Sequence, residues 1–134
     1  MESSFRPLTT HERELVERLL EPDFPGRDEL RRQLESVTAK QIFEDGTLTL
    51  ECGPCEPAPV RCRVPTEGEC PDSDGMAIHV LLHVKGGVMH ELEVFKDDGS
   101  SIQNPPAARD LVLFTPYGEA GVKWGTAEPG AAES

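Results

Sequence analysis

The chain has 134 residues, which is enough for one domain with its own hydrophobic core. Its 25 acidic and 13 basic residues give a formal net charge of −12, and this balance argues against nucleic-acid binding, which needs a basic face. The N-terminal stretch is too charged for a signal-peptide core, and no apolar run approaches the length of a membrane span. We therefore expect a cytoplasmic protein that makes no membrane contact.

Two short amphipathic helices are predicted in the first third of the chain, after a flexible lead over residues 1–7. Thr9 and Glu12 form a capping-box pattern that begins the first helix, and Pro22 ends it. The second helix is predicted over residues 27–36. The apolar positions at helical spacing are Leu15, Val16, Leu19, Leu20, Leu30, Leu34 and Val37. Helices this short are not stable alone, so they need a further surface to cover.

A first β-hairpin is predicted directly after the helices. Residues 38–44 and 47–52 flank an Asp-Gly pair at 45–46, which is a strong signal for a tight turn. A two-residue turn at that pair places Phe43 opposite Leu48.

A single strand is predicted next, beyond a segment that glycine and prolines interrupt. Val60, Cys62 and Val64 alternate with two arginines, as expected for a strand with one buried face. In this interpretation Cys62 is a buried structural cysteine.

The segment between Asp74 and Gly99 predicts a longer hairpin. A three-residue loop over 85–87 aligns the apolar faces of its two strands, with glycine in the left-handed conformation. The residues on these faces are Met76, Ile78, Val80, Leu82, Val84, Val88, Leu92 and Val94. The resulting neighbours on the opposite, outer face are His79 with Glu93, and His83 with Met89.

The rest of the chain is predicted to be mostly irregular. Leu111–Phe114 is expected to add one short strand, and residues 118–134, which include Trp124, to form a disordered tail. The single domain then spans residues 8–117. Its class is α+β: the two helices pack on one face of a mostly antiparallel sheet of about five strands, and the other face stays open.

Four cysteines raise the question of metal or redox chemistry. Cys52-Gly-Pro-Cys55 has the letters of the thioredoxin active site, but the following residues cannot form the helix on which that chemistry depends. The set Cys52, Cys55, Cys62 and Cys70 could alternatively hold a structural zinc ion. Our preferred interpretation is four reduced, partly buried thiols and no cofactor.

His79 and His83 would share one face of a helix, as a metalloprotease zinc pair does. Here they lie in a predicted strand, where four residues span about 13 Å, too far for two ligands of one ion. We therefore expect no catalytic zinc pair. The functional alternative is a polar outer sheet face that binds a partner, formed by His79, His83, Glu91 and Glu93.

Three segments resemble a family of small uncharacterised bacterial proteins that is common in actinobacteria. They are RPLTTHERELVERLL (6–20), DFPGRDELRRQL (23–34) and DGMAIHVLLHVKGGVMHELEVFKDDG (74–99). Members of that family often carry a segment rich in cysteine and glycine after the second helix, whereas this chain has AKQIFEDGTLTLE there, without cysteine. The resemblance implies no established activity, so it assigns no functional residue.

The sequence as a whole favours a small acidic, non-catalytic binding protein over an enzyme. A protein partner with a basic surface suits its charge, and an inhibitor or immunity role is an analogy at the level of fold. The alternative is a cysteine-dependent zinc or thiol-redox protein. A third hypothesis is a small-molecule site in the cleft between helices and sheet.

Overall fold

The computed structural model describes residues 5–116 and the backbone of residues 123–124. It contains the helices α1 (Thr10–Leu19) and α2 (Arg27–Gln33) and a single 3-10 turn at Ala108–Asp110. The strands are β1 (Arg6–Pro7), β2 (Thr38–Gln41), β3 (Leu48–Glu51), β4 (Thr66–Pro71), β5 (Ala77–Lys85), β6 (Val88–Lys96), β7 (Val112–Phe114) and β8 (Lys123–Trp124). Neither helix of the described segment has the length and apolar character that a bilayer crossing needs.

The strands form one antiparallel sheet in the order β1-β2-β3-β6-β5-β4-β7-β8. The α+β class is confirmed, although the described residues form eight strands and not about five. β1 lies within the segment predicted as a flexible lead, and β8 lies within the predicted tail. The remainder of that tail is outside the described residues.

The helices cover one face of the sheet and bury its aliphatic residues. α1 begins with the predicted capping box, in which Thr9 and Glu12 each satisfy a backbone N–H of the other. At its other end, the Thr66 hydroxyl donates to the carbonyl of Leu19 over 2.7 Å. One core joins the two layers, and its members include Leu15, Leu19, Leu30, Leu34, Ile78, Val80, Leu82, Leu92 and Val94.

The turn between β5 and β6 differs from the predicted three-residue loop. Lys85 pairs with Val88, so the turn consists of Gly86 and Gly87 alone, both with positive φ. The register then shifts between His83 and Val84, which leaves His90 as the extra residue of a β-bulge. The apolar faces of β5 and β6 still meet, because the extra residue of the bulge shifts the strand register by one position. The longer loop was expected to produce the same alignment of the two faces.

The β2–β3 hairpin has a longer loop and a different register from those predicted. Gln41, and not Phe43, pairs with Leu48, and the Ile42 N–H donates to the Thr47 carbonyl. The Thr47 hydroxyl donates to the Val94 carbonyl and accepts from the Val94 N–H, at 3.1 and 2.9 Å. Thr47 is therefore fixed to β6 and does not pair with Glu44, as a two-residue turn would require.

The predicted strand over residues 60–64 is also wrong. That segment has no regular structure, and the strand instead begins at Thr66. Cys62 is exposed, whereas Cys70, which alternates inward with Thr66 and Gly68, is buried. The inward residues of β4 are small or polar, so the strand lacks the aliphatic alternation that a sequence pattern detects.

Gln33, the last residue of α2, joins three parts of the chain through its buried side-chain amide. Its nitrogen donates to the carbonyls of Glu56 and Gly87 at 2.8 and 2.9 Å. Its oxygen accepts the N–H of Met89 at 3.0 Å. The helix end, the loop before β4 and the β5–β6 turn are thus held together by one fully bonded polar group.

Replacing Gln33 with methionine keeps the side-chain volume and removes all three hydrogen bonds. The Glu56 carbonyl and the Met89 N–H would lose this partner and the Gly87 carbonyl would keep the Ala58 N–H, so we expect the free energy of unfolding to fall by about 2–4 kcal/mol. Urea unfolding measures this change. The matched control is Arg31→Met on the exposed side of the same helix, and an equal loss in both variants would contradict the assigned role.

Substitutions at Gly87 and Gly86 provide a second matched pair of variants. Both have positive φ, but only at Gly87 would an added Cβ collide, at 2.7 Å from the Pro57 Cβ and 2.8 Å from the Ala58 carbonyl. We expect Gly86→Ala to cost about 1 kcal/mol and Gly87→Ala about 3 kcal/mol, because the second adds overpacking to backbone strain. Thermal unfolding of both variants checks the order, and a reversed order would exclude the close approach.

Candidate functional site

The outer face of the sheet, which no described helix covers, carries apolar and acidic residues together. One row across the strands runs Phe114, Glu67, Leu81 and Glu93. The next runs Val112, Glu69, His79 and Phe95. All eight side chains are half-buried. We call this surface, together with the adjoining His83, Glu91 and Asp97, the outer face; its apolar side chains are interspersed with carboxylates.

His83 stands at one end of the outer face, beside two glutamates. Its Nε2 lies 2.8 Å from a carboxylate oxygen of Glu93, and Glu91 pairs with it across the strands. The Arg63 Nε donates to His83 Nδ1 at 3.3 Å. Because an arginine nitrogen can only donate, Nδ1 must accept, and the ring proton therefore lies on Nε2, which donates to Glu93.

Within residues 5–116, one group of three side chains is close enough to share a metal ion. Ligand atoms of His83, Glu91 and Glu93 all lie within 4.8 Å of one another. A metal at Nε2 would displace the hydrogen bond to Glu93 and require the Arg63 contact to open. As it stands, the group is a hydrogen-bonded cluster in which both nitrogens of the ring are engaged.

His79 forms a separate cluster further along β5. Its Nε2 lies 2.5 Å from Asp97 and its Nδ1 lies 3.6 Å from Glu69. The ring stacks on Phe95 with 5.0 Å between centroids. Two carboxylates and an aromatic ring thus fix the orientation of His79.

The four outer-face residues predicted from the sequence are therefore only partly brought together. His83, Glu91 and Glu93 form one group, while His79 pairs with Asp97 and Glu69. The predicted neighbours were wrong, since His79 pairs across the strands with Phe95 and His83 with Glu91. The apolar residues Leu81 and Phe95 of this face were not predicted, although both stand at outward positions of their strands.

A buried ion-pair network lies at the far end of β6. Lys96 Nζ contacts Asp72 and Asp74 at 2.9 and 2.7 Å, and its side chain is fully buried. Asp72 also accepts the backbone N–H groups of Gln103 and Asn104, at 2.7 and 2.9 Å. The network therefore connects the β4–β5 turn to the irregular segment after β6.

Folding changes the protonation equilibria of this network. Burial alone would raise the pKa of Asp72, but hydrogen bonds from the Gln103 amide and from Lys96 outweigh it and hold that pKa well below its usual range. The hydrogen bond from Lys96 also lowers the pKa of Asp74, and the same bond raises the pKa of Lys96. The network is therefore ionised wherever the protein is folded near neutral pH.

Stability should fall in acid because of these carboxylates. Their pKa values are lower in the folded chain, so their stabilisation is complete above the ordinary carboxyl pKa of about 4 and is lost as pH falls below it. We expect Asp72→Asn to lower the melting temperature at pH 7 by roughly 10 °C and to flatten the acid limb of the stability curve. Thermal scans between pH 2 and 7 test this, with the exposed Asp23→Asn as control. A steep acid limb in both variants would contradict it.

The cysteines do not assemble as a zinc site in this structure. Cys52 and Cys55 are joined by a disulfide, which differs from the expectation that all four thiols are reduced. Cys62 is exposed, and its thiol donates to the Val64 carbonyl. Cys70 is buried, and burial raises the pKa of its thiol to about 11.

A cleft of modest size lies between the helical layer and the sheet, where the third hypothesis places a small-molecule site. A cavity of about 260 Å³ lies between α1, the β2–β3 loop and the segment after β6. Its wall includes Leu15, Leu92 and Val94 together with the side chain of Glu12. Arg6 already binds both oxygens of that carboxylate, at 2.8 and 2.9 Å.

Fold and site together define an α+β domain whose helices cover one sheet face and whose other face presents carboxylates and histidines. The chain belongs to DUF6984, a family described as a domain of unknown function, whose sequence pattern matches residues 5–106. Searches found no similar curated protein and no similar solved structure. The predicted membership of an uncharacterised family is thus confirmed, while the actinobacterial origin and the helix motifs stay predictions.

Proposed function

We propose that this chain is a non-catalytic binding domain and that its outer face docks a protein partner with a basic surface. The observation that supports this is the arrangement of the face, in which Leu81 and Phe95 are half-buried between carboxylates. Protein interfaces are enriched in aromatic residues, which contact the partner beside polar groups. The fold class alone would not support this proposal.

Charge complementarity selects the kind of partner. Five carboxylates lie on the outer face, at Glu67, Glu69, Glu91, Glu93 and Asp97, and the whole chain carries a net charge of −12. A field of this sign speeds encounter with a basic surface and repels acidic ones. An inhibitor or immunity protein that covers a basic active site would use the same charge complementarity.

The histidines fit binding better than proton transfer. Both ring nitrogens of His83 are engaged, one by Arg63 and one by Glu93, so the imidazole orders its neighbours. His79 is held in the same way by Asp97 and Phe95. Side chains fixed before binding lose less conformational entropy when the partner arrives.

The experiment compares two variants with the same change in net charge. The first converts the outer-face residues Glu67, Glu69, Glu91 and Glu93 to glutamine. The second converts four exposed glutamates of the helical layer, Glu14, Glu17, Glu21 and Glu35, to glutamine. Each is used to capture partners from the cells that produce the protein, and the captured protein is then purified and its affinity measured by calorimetry.

We expect a basic protein to bind the parent chain and the helical-layer variant, and to bind the outer-face variant at least tenfold more weakly. Binding should weaken as salt rises, since rim charges are screened. Leu81→Asp, which leaves the carboxylates in place, should also abolish binding. Equal affinities for the two glutamine variants would disprove the outer face as the interface.

A further inference from the structure

The disulfide between Cys52 and Cys55 lies at the surface, directly after β3. It closes a four-residue loop, with 5.6 Å between the two Cα atoms. Both cysteines are half-buried, and the two residues between them, Gly53 and Pro54, are exposed. The sulfur atoms are therefore at a position that a small thiol or another protein can approach.

The two cysteines have different surroundings. Cys52 lines a cavity of about 320 Å³ whose wall also includes Lys85 and His90. Cys55 lines a separate cavity of about 340 Å³, which it shares with Glu29 and Arg32. Both cavities hold cations and acids, since Glu51 also lines that of Cys52, but the Cys55 Sγ lies 3.9 Å from the backbone carbonyl of Gln33. That carbonyl accepts from the thiol and so favours the protonated form of Cys55. Cys52 is therefore the better nucleophile and the better leaving group of the pair.

The loop that carries the disulfide is fixed by bonds that do not involve sulfur. The Glu56 carbonyl accepts from Gln33, and the Ala58 N–H donates to the Gly87 carbonyl at 2.7 Å. No sulfur atom takes part in these bonds, so reduction of the disulfide leaves each donor and acceptor in place. The fold can therefore keep the two sulfur atoms close to each other in both redox states.

We propose that Cys52 and Cys55 form a reversible thiol–disulfide exchange site whose co-reactant is a dithiol, either a small molecule or a protein. A thiolate of the dithiol attacks Cys55 Sγ and forms a mixed disulfide, and Cys52 leaves as the thiolate. The second thiolate of the dithiol then attacks the dithiol sulfur that is bonded to Cys55. The dithiol closes to a disulfide, and Cys55 leaves as the thiolate. Two electrons and two protons pass to the protein, and the dithiol becomes a disulfide.

This site differs from the thioredoxin arrangement in one physical respect. The residues after Cys55 form an irregular segment with prolines at 57 and 59, so neither cysteine begins a helix whose N-terminus could stabilise its thiolate. The difference between the two sulfurs comes instead from the Gln33 carbonyl beside Cys55 and from Lys85 and His90 in the cavity of Cys52. We therefore assign exchange with a dithiol, and not the rapid turnover of a dedicated oxidoreductase.

A redox titration of the full chain tests the proposal without any mutation. The native protein is equilibrated with mixtures of reduced and oxidised dithiothreitol and alkylated, and each cysteine is read by mass spectrometry. We expect Cys52 and Cys55 to be reduced together in one two-electron step, while circular dichroism keeps its native shape. A disulfide that is reduced only after unfolding, a pair that never closes, or stoichiometric zinc on the two sulfurs would each overturn the proposal.

Two single-cysteine variants test the assigned roles. In a Cys62→Ser background, Cys55→Ser leaves the Cys52 thiol and Cys52→Ser leaves the Cys55 thiol, with Cys70 buried in both. We expect Cys52 to react with an aromatic disulfide reagent at neutral pH roughly threefold or more faster than Cys55. Lys85→Gln should reduce that difference. Equal rates, or a difference that Lys85→Gln leaves unchanged, would refute the roles.

Discussion

The β-bulge at His90 is the constraint on which both faces of the sheet depend. Side chains of a regular strand alternate between faces, so Met89 and Leu92, three residues apart, could not both point into the core without an extra residue. The bulge provides it, and both are fully buried. The same correction turns Glu91 and Glu93 outward beside His83. A strand without the bulge would have to bury a carboxylate or expose a core residue.

Buried polar groups, more than apolar ones, hold the irregular segments in place. Only 37% of the chain is hydrophobic, and long stretches before β4 and after β6 have no ladder hydrogen bonds of their own. Gln33 fixes the first stretch, and the network of Lys96 with Asp72 fixes the second. Each group is fully bonded, which avoids the penalty of an unsatisfied buried donor or acceptor. Loops held this way can present the disulfide in one position.

The sequence was informative where one local rule decides the structure, and it misled where a distant contact decides. The capping box of Thr9 and the inward residues of β5 follow from neighbours in the chain, and both were predicted correctly. The β2–β3 register depends on the Thr47 hydroxyl bonding Val94, 47 residues away, which no local pattern shows. β4 was missed because Thr66 and Gly68 are not aliphatic. The outer face was predicted in part. Its acidic residues were identified from the sequence, whereas Leu81 was not, because it lies within a run of apolar residues.

Among the described residues, the outermost strands of the sheet, β1 and β8, have two residues each. One of the residues in β1 is Pro7, which has no N–H to offer a further strand. Such short borders discourage other chains from lengthening the sheet, a common route to aggregation. They also restrict how a binding partner can approach, because a peptide that would pair with β1 as a further strand finds almost no free backbone there. At the β1 edge, a partner would therefore contact side chains and would not extend the sheet.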